Sequence, residues 1–148
     1  MRAYISIKYR ADNSNRNCIE KIASALEQNG FETVCITRDI EKWGQIELSP
    51  EELMQRTFSE IDLSHLIVID LTEKGVGLGI EAGYAYAKGI PIAVIAKKGS
   101  DISATLQGIS QQLFLYDEFD DLTHFFRDTT LFGNQMKDSE SALRLPER

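Results

Sequence analysis

An α/β fold, one doubly wound domain around a five-stranded parallel sheet in the flavodoxin-like order 2-1-3-4-5, is what this sequence predicts. Three observations carry that prediction. Apolar runs and amphipathic stretches alternate five times along the chain, as in parallel strands joined by crossover helices. One run, Leu66-Ile67-Val68-Ile69, is unbroken, as in a strand buried on both faces. A length of 148 residues suits a single domain able to bury roughly 70% of its unfolded surface.

In chain order, Ala3 to Ile7 reads as the first strand, and Lys8 to Asn17 as a basic loop carrying Arg10 and Arg16. The helix that follows sets Cys18, Ile22, Ala25 and Leu26 on one face and stops at Asn29-Gly30. Phe31 to Thr37 is the second strand, and Arg38 to Leu48 a loop long enough for a lid or a partner contact. Ser49-Pro50-Glu51-Glu52 opens a helix with an N-cap, proline at the first helical position and acids in the first turn. Leu53, Met54, Thr57, Phe58 and Ile61 form its apolar side.

After the third strand come three alternating glycines, Gly75, Gly77 and Gly79, and a helix from about Leu78 to Lys88 with Glu81 in its first turn. Ile90 to Ala96 is the fourth strand, Ser100 to Gly108 a short helix and Gln112 to Tyr116 the fifth strand. Asp117 to about Phe132 is the last helix. Residues 1–132 are expected to form the domain, and 133–148 a polar, mobile tail.

Composition removes several functions. With 16 Lys and Arg against 23 Asp and Glu, the net charge of −7 argues against polymeric nucleic acid or an anionic membrane as partner. No apolar segment is long enough to span a bilayer and no signal peptide is visible, so a cytoplasmic protein is expected. Cys18 and Cys35 are isolated, without clustered histidines, and read as buried thiols, not as a disulfide or metal site. His65 and His124 are expected to pack.

Sheets of this winding bind ligands beyond the carboxyl ends of their strands, where the winding reverses. That places the Lys8-to-Asn17 loop across a crevice from the Gly75-to-Gly79 turn. Glycines allow close approach to a ligand, and the free N–H groups of a starting helix attract anions. Gly77-Leu78-Gly79-Ile80-Glu81-Ala82 also fits the loose G-x-G-x-x-A dinucleotide pattern. The following strand ends in Lys97-Lys98, where a ribose-binding acid would stand, so a nicotinamide site is not expected.

The stretch Gly77-Leu78-Gly79-Ile80-Glu81-Ala82-Gly83-Tyr84-Ala85, followed by Ala87-Lys88-Gly89-Ile90-Pro91-Ile92, resembles the signature of the nucleoside 2-deoxyribosyltransferase family. It equally resembles the related 2′-deoxynucleoside 5′-monophosphate N-hydrolases, and a thinner likeness runs from Tyr4 to about Leu122. The resemblance implies that Glu81 is the catalytic nucleophile on the sugar's anomeric carbon, with Tyr4 beside it. It implies substrate-binding roles for Tyr4, for Arg10 in a phosphate-binding loop and for Ser103; Ser6, Lys8, Gly77 and Gly79, on the same crevice, are expected to bind substrate as well. Ile102 to Gly108 is similar to a segment that reaches the phosphate of a neighbouring subunit, implying a homodimer or larger homo-oligomer.

This chain departs from the family at several positions. Thr57 stands where a second carboxylate is expected, with Glu60 one turn on as a substitute. Gly75 replaces an aspartate or serine, and Ile7 and Lys8 replace a loop glycine and serine. Asp70, at the end of the third strand, reads equally as a turn cap or a ligand contact, and Tyr84 and Tyr86 as packing or interface.

The expected activity is cleavage of the N-glycosidic bond of a nucleoside or nucleoside 5′-monophosphate, by hydrolysis or by transfer to another base, without metal or organic cofactor. A carboxylate suits the positive charge that develops on the sugar, and a helix start would keep it ionised. The rival expectation is a module that binds or senses a nucleotide without turnover.

Overall fold

In the computed structural model, which describes residues 1–128, five strands form one parallel sheet. They are β1 (Arg2–Ser6), β2 (Glu32–Val34), β3 (Leu66–Asp70), β4 (Ile92–Lys97) and β5 (Gln112–Tyr116), in the order β2-β1-β3-β4-β5. The crossovers carry helices α1 (Arg16–Glu27), α2 (Pro50–Asp62), α3 (Val76–Ala87) and α4 (Ala104–Ile109), and α5 (Phe119–Arg127) follows β5. Fold class and strand order are those the sequence predicts. The expected tail 133–148 and the end of the last expected helix lie outside the described residues.

Side-chain alternation along the strands divides the core into two layers. Ala3, Ile5, Leu66, Val68, Ala93 and Ile95 face α1 and α5, meeting Ile19, Ile22, Leu26, Leu122 and Phe126. Tyr4, Ile67, Ile69, Ile92 and Val94 face the other way, onto Ile61 of α2, Leu78, Ala82 and Ala85 of α3 and Leu106 of α4. Register sets Tyr4 opposite Val34 and Ile67, and Ser6 opposite Ile69. Tyr4 and Ser6 therefore share the face covered by α2 and α3.

Local signals explain most boundaries. Ser49 and Glu52 make a reciprocal capping box, with Pro50 first in the helix. Gly30 ends α1 at φ +85°, a conformation open to glycine at little cost. Two expectations are corrected. β2 has three residues because the Cys35 N–H donates to Asp39 Oδ2 at 2.8 Å, leaving the sheet ladder for a π-helical turn over Ile36–Ile40. The expected loop 38–48 thus begins inside a helical turn. Both histidines are exposed; His65 precedes β3, and its Nδ1 accepts the Arg2 N–H at 3.0 Å. Among the described residues no helix is long and apolar enough to cross a membrane.

Ile67 is fully buried in the centre of the sheet. Ile67→Ala should cost about 2–5 kcal/mol and Ile67→Val about 0.5–1.5 kcal/mol. Urea unfolding checks this through a lower midpoint at unchanged slope.

Candidate active site

α3 begins at Val76, with the extended Gly75 before it, so Glu81 is its sixth residue and not part of the first turn. Its carboxylate turns towards β1, where Oε1 accepts the Tyr4 hydroxyl at 2.5 Å and Oε2 accepts the Ser6 hydroxyl. Enclosure by protein raises the Glu81 carboxyl above the ordinary carboxylate range, while the Ser6 and Tyr4 hydroxyls pull it part of the way back. The expectation that a helix start keeps this acid ionised is therefore corrected. Two hydroxyl donors from a neighbouring strand do that work, because the first turn lies behind the glutamate. Burial, and then the charge of Glu81, hold the Tyr4 phenol well above its ordinary value. Tyr4 is a donor, not a base.

The carboxylate stands at the wall of an open cavity of about 570 Å³, a size that suits a small ligand. Its boundaries come from the loop after β1 (Ile7, Lys8, Tyr9), the start of α3 (Gly75, Val76, Gly77), the segment after β2 and the start of α2. Ile36, Leu48, Leu53 and Met54 make one side apolar. A Cβ at Gly77 would meet no atom within 4 Å, so the space beside the helix start is open. Lys8 is half-buried, and among the described residues its ammonium has no ion-pair partner.

The fold brings Tyr4, Ser6, Lys8, Gly77 and Glu81 around this one cavity. It does not bring the others. Gly79 is exposed and off the cavity wall. Arg10 lies in an adjoining cleft of about 200 Å³ and is ion-paired with Glu73. Ser103 precedes α4, its hydroxyl 2.7 Å from that of Thr105, outside both cavities. Thr57 is buried and lines the cavity beside Tyr4. Glu60 does not substitute for a second carboxylate, since Arg2 and Arg56 hold it away from the cavity.

Other residues find structural employment. Asp70, 2% exposed, caps its turn through the Thr72 N–H at 2.8 Å and accepts the Tyr116 hydroxyl at 3.0 Å. Burial pushes the thiols of Cys18 and Cys35 up to about 12 and 11, so both stay protonated. Tyr84 stacks on Phe58 at 4.2 Å and donates to Asp62. Among the described residues no group of three His, Cys, Asp or Glu is placed to hold a metal ion. Sequence reasoning missed Glu41 and Glu47, which line the cavity from the segment after β2. The only signal for them was the length of that segment.

No family model matches the chain. It is 24% identical over 131 residues to a provisionally assigned 2′-deoxynucleoside 5′-phosphate N-hydrolase 1 of Thermofilum pendens, covering 82% of this chain and 87% of that one. Among solved structures, the CMP N-glycosidase of Clostridium botulinum superposes with a TM-score of 0.59 at 19% identity, covering 84% of this chain and 95% of the other. A 2-deoxyribosyltransferase of Bacillus psychrosaccharolyticus superposes with a TM-score of 0.65 at 14% identity, covering 83% and 90%. The resemblance read from the glycine turn thus recurs along most of the chain in sequence, and in fold for both branches of the family.

Folding favours the protonated form of Glu81, because its carboxyl titrates higher in the folded chain than in the unfolded one. That contribution to stability is complete below the unfolded value and lost as pH rises through the folded value. Glu81→Gln, which carries no charge to desolvate, should therefore melt at a higher temperature than the wild type near neutral pH. The gap should close below about pH 4, where both side chains are neutral; calorimetry across that range checks it.

Proposed function

We propose that this chain, similar in sequence to a 2′-deoxynucleoside 5′-phosphate N-hydrolase, cleaves the N-glycosidic bond of a nucleoside 5′-monophosphate, with Glu81 as nucleophile. The supporting observation is the Glu81 carboxylate, held by Tyr4 and Ser6 at the edge of the 570 Å³ cavity. Two donors leave it oriented yet open to solvent, as an attacking carboxylate requires. One of its oxygens bonds to the anomeric carbon as the bond to the base breaks; water then releases the sugar phosphate. A second base in place of the water gives transfer instead of hydrolysis.

The phosphate is assigned to Lys8 and to the uncapped N–H groups at the start of α3. Arg10, engaged by Glu73 in the next cleft, is left out of that role. Thr57, in the place of a second carboxylate, and Gly75, in the place of an aspartate or serine, favour a binding module without turnover.

A second copy of the chain is the proposed partner, through α3. This helix is apolar nearly all round, a pattern that calls for cover on more than one side. Val76 (83% exposed), Ile80 (46%) and the exposed Gly83 and Ala87 repeat at helical spacing, with Tyr86 (59%) beside them.

Incubation with a panel of nucleosides and 5′-monophosphates, followed by chromatography, should show free base from monophosphates. Glu81→Gln should reduce that release by roughly 10³-fold or more. A ligand-induced thermal shift with no base released would favour the binding module. Lys8→Ala should weaken use of monophosphates by about 10- to 100-fold, the worth of one charged hydrogen bond, and leave nucleosides nearly untouched; equal losses on both would remove the phosphate assignment. Sedimentation should show an oligomer that Ile80→Arg dissociates.

A further inference from the structure

We propose that Glu41 is the catalytic acid that protonates the departing base and then, as a carboxylate, takes the proton of the incoming water. The inference rests on the reading of Glu81 and adds the group that reading lacks. Bond cleavage delivers an electron pair to a ring nitrogen, and a nucleobase leaves far more readily once protonated. Thr57 cannot lend a carboxyl proton and Glu60 faces two arginines elsewhere. Among the described residues the carboxylates on the cavity are Glu41, Glu47 and Glu81, and Glu47 is solvent-exposed.

The sheet order locates Glu41 relative to the sugar. With β1 between β2 and β3, the loops after β2, β1 and β3 lie in a row above the strand ends. Lys8 and the α3 start occupy the β1–β3 side, and Glu81 is drawn over β1 by Tyr4 and Ser6. A phosphate at Lys8 and a sugar at Glu81 direct the base towards the β2 side. That side carries the apolar Ile36, Leu48, Leu53 and Met54, a surface suited to a planar ring, and among them Glu41.

The backbone fixes Glu41 there. It closes the π-helical turn through its N–H to the Ile36 carbonyl at 2.9 Å, and its own carbonyl accepts from Gly44 and Ile46. The next three residues are all left-handed: Lys42 at φ +49°, Trp43 at +59° and Gly44 at +90°. A tryptophan rarely adopts that conformation, and such strain persists only where surroundings impose it, most often at functional sites. Here the Trp43 N–H donates to the Thr37 carbonyl at 2.8 Å, and the Asn13 side chain donates to the Trp43 carbonyl at 3.1 Å. The Arg16 guanidinium covers the Trp43 ring at 4.5 Å. α1 and the loop before it thus clamp the turn that presents Glu41.

The surroundings also separate the two acids. The titratable groups sharing the cavity with Glu41 are Tyr4, Lys8, Tyr9, Cys35, Glu47 and Glu81. None of them donates a hydrogen bond to it, and among the described residues its carboxyl has no partner. Burial alone moves it, upward, which favours the protonated form. Glu81 is also pushed up by burial but receives two hydroxyl donors that favour its charged form. A carboxylate offered two hydroxyl donors suits the nucleophile, and one offered none suits the acid. In the first step the Glu81 oxygen bonds to the anomeric carbon, the bond to the base breaks, and the Glu41 proton goes to the base. In the second, Glu41 accepts a proton from water as the hydroxyl displaces Glu81.

Glu41→Gln tests the assignment on two substrates: the monophosphate that the wild type cleaves best, and 4-nitrophenyl 2-deoxyribofuranoside 5-phosphate, whose leaving group departs unprotonated. On the monophosphate kcat should fall about 10²- to 10⁴-fold and the alkaline limb of the pH profile should flatten; on the nitrophenyl substrate the loss should stay under about tenfold. The isosteric change at an unpartnered carboxyl should leave the melting temperature near that of the wild type. Equal losses on both substrates, or an unchanged kcat with the alkaline limb retained, overturns the role of Glu41 alone. A wild type that releases neither base from the monophosphate nor nitrophenolate from the second substrate overturns the reading of Glu81, and this inference with it.

Discussion

The hydrogen bonds from Tyr4 and Ser6 to Glu81 tie β1 to the helix α3, and the candidate site exists because of them. They depend on parity. Alternate residues of β1 face opposite layers, so Tyr4 and Ser6 meet α3 while Ala3 and Ile5 meet α1. A slip of one residue in β1 would exchange the two pairs and leave Glu81 facing methyl groups with no donor. Pairing with β2 and β3 on both sides, together with the buried bulk of Ile5, prevents that slip. The same packing that holds the sheet in register therefore aims the carboxylate.

Holding an acid this way has a thermodynamic cost. Burial raises the Glu81 carboxyl, and the two hydroxyls offset only part of that effect. A site that preferred stability would replace the acid with a neutral side chain, the usual opposition between activity and stability. The turn after Glu41 repeats the pattern. Left-handed Lys42 and Trp43 are unfavourable in themselves, and contacts from Asn13, Arg16 and Thr37 hold them there. In both places the cavity wall is less stable than its surroundings, which supply the difference.

The parts of this fold that were legible in the sequence are those set by local chemistry. Ser49-Pro50-Glu51-Glu52 marked the start of α2 because capping needs only neighbouring residues. The unbroken run from Leu66 to Ile69 marked a strand covered on both faces, and the strand order followed. Resemblance, not periodicity, drew attention to Tyr4 and Glu81. Misreadings arose where distant residues decide. Arg10 reads as a ligand-facing cation until Glu73, 63 residues away, is seen to hold it. Gly75-Val76-Gly77 carries no side-chain cap, so the sequence places the start of α3 two residues late, at Leu78, and Glu81 in its first turn. Nothing in Glu41-Lys42-Trp43-Gly44 announces a left-handed turn except Gly44, because Asn13 and Arg16 impose the rest from another element.

Thr57 fits this arrangement better than its departure from the family suggests. It is buried beside the Tyr4 hydroxyl, which in turn donates to Glu81. A carboxylate at that position would add a second negative charge within the same network. Like charges at short range raise each other's titration, so Glu81, already lifted by burial, would be driven further towards its neutral and unreactive form. A hydroxyl in its place lies beside Tyr4 without adding charge. With the acid on the segment after β2, as proposed, the function of the missing carboxylate moves across the cavity to a residue outside that network, and the proposed nucleophile is spared a charged neighbour.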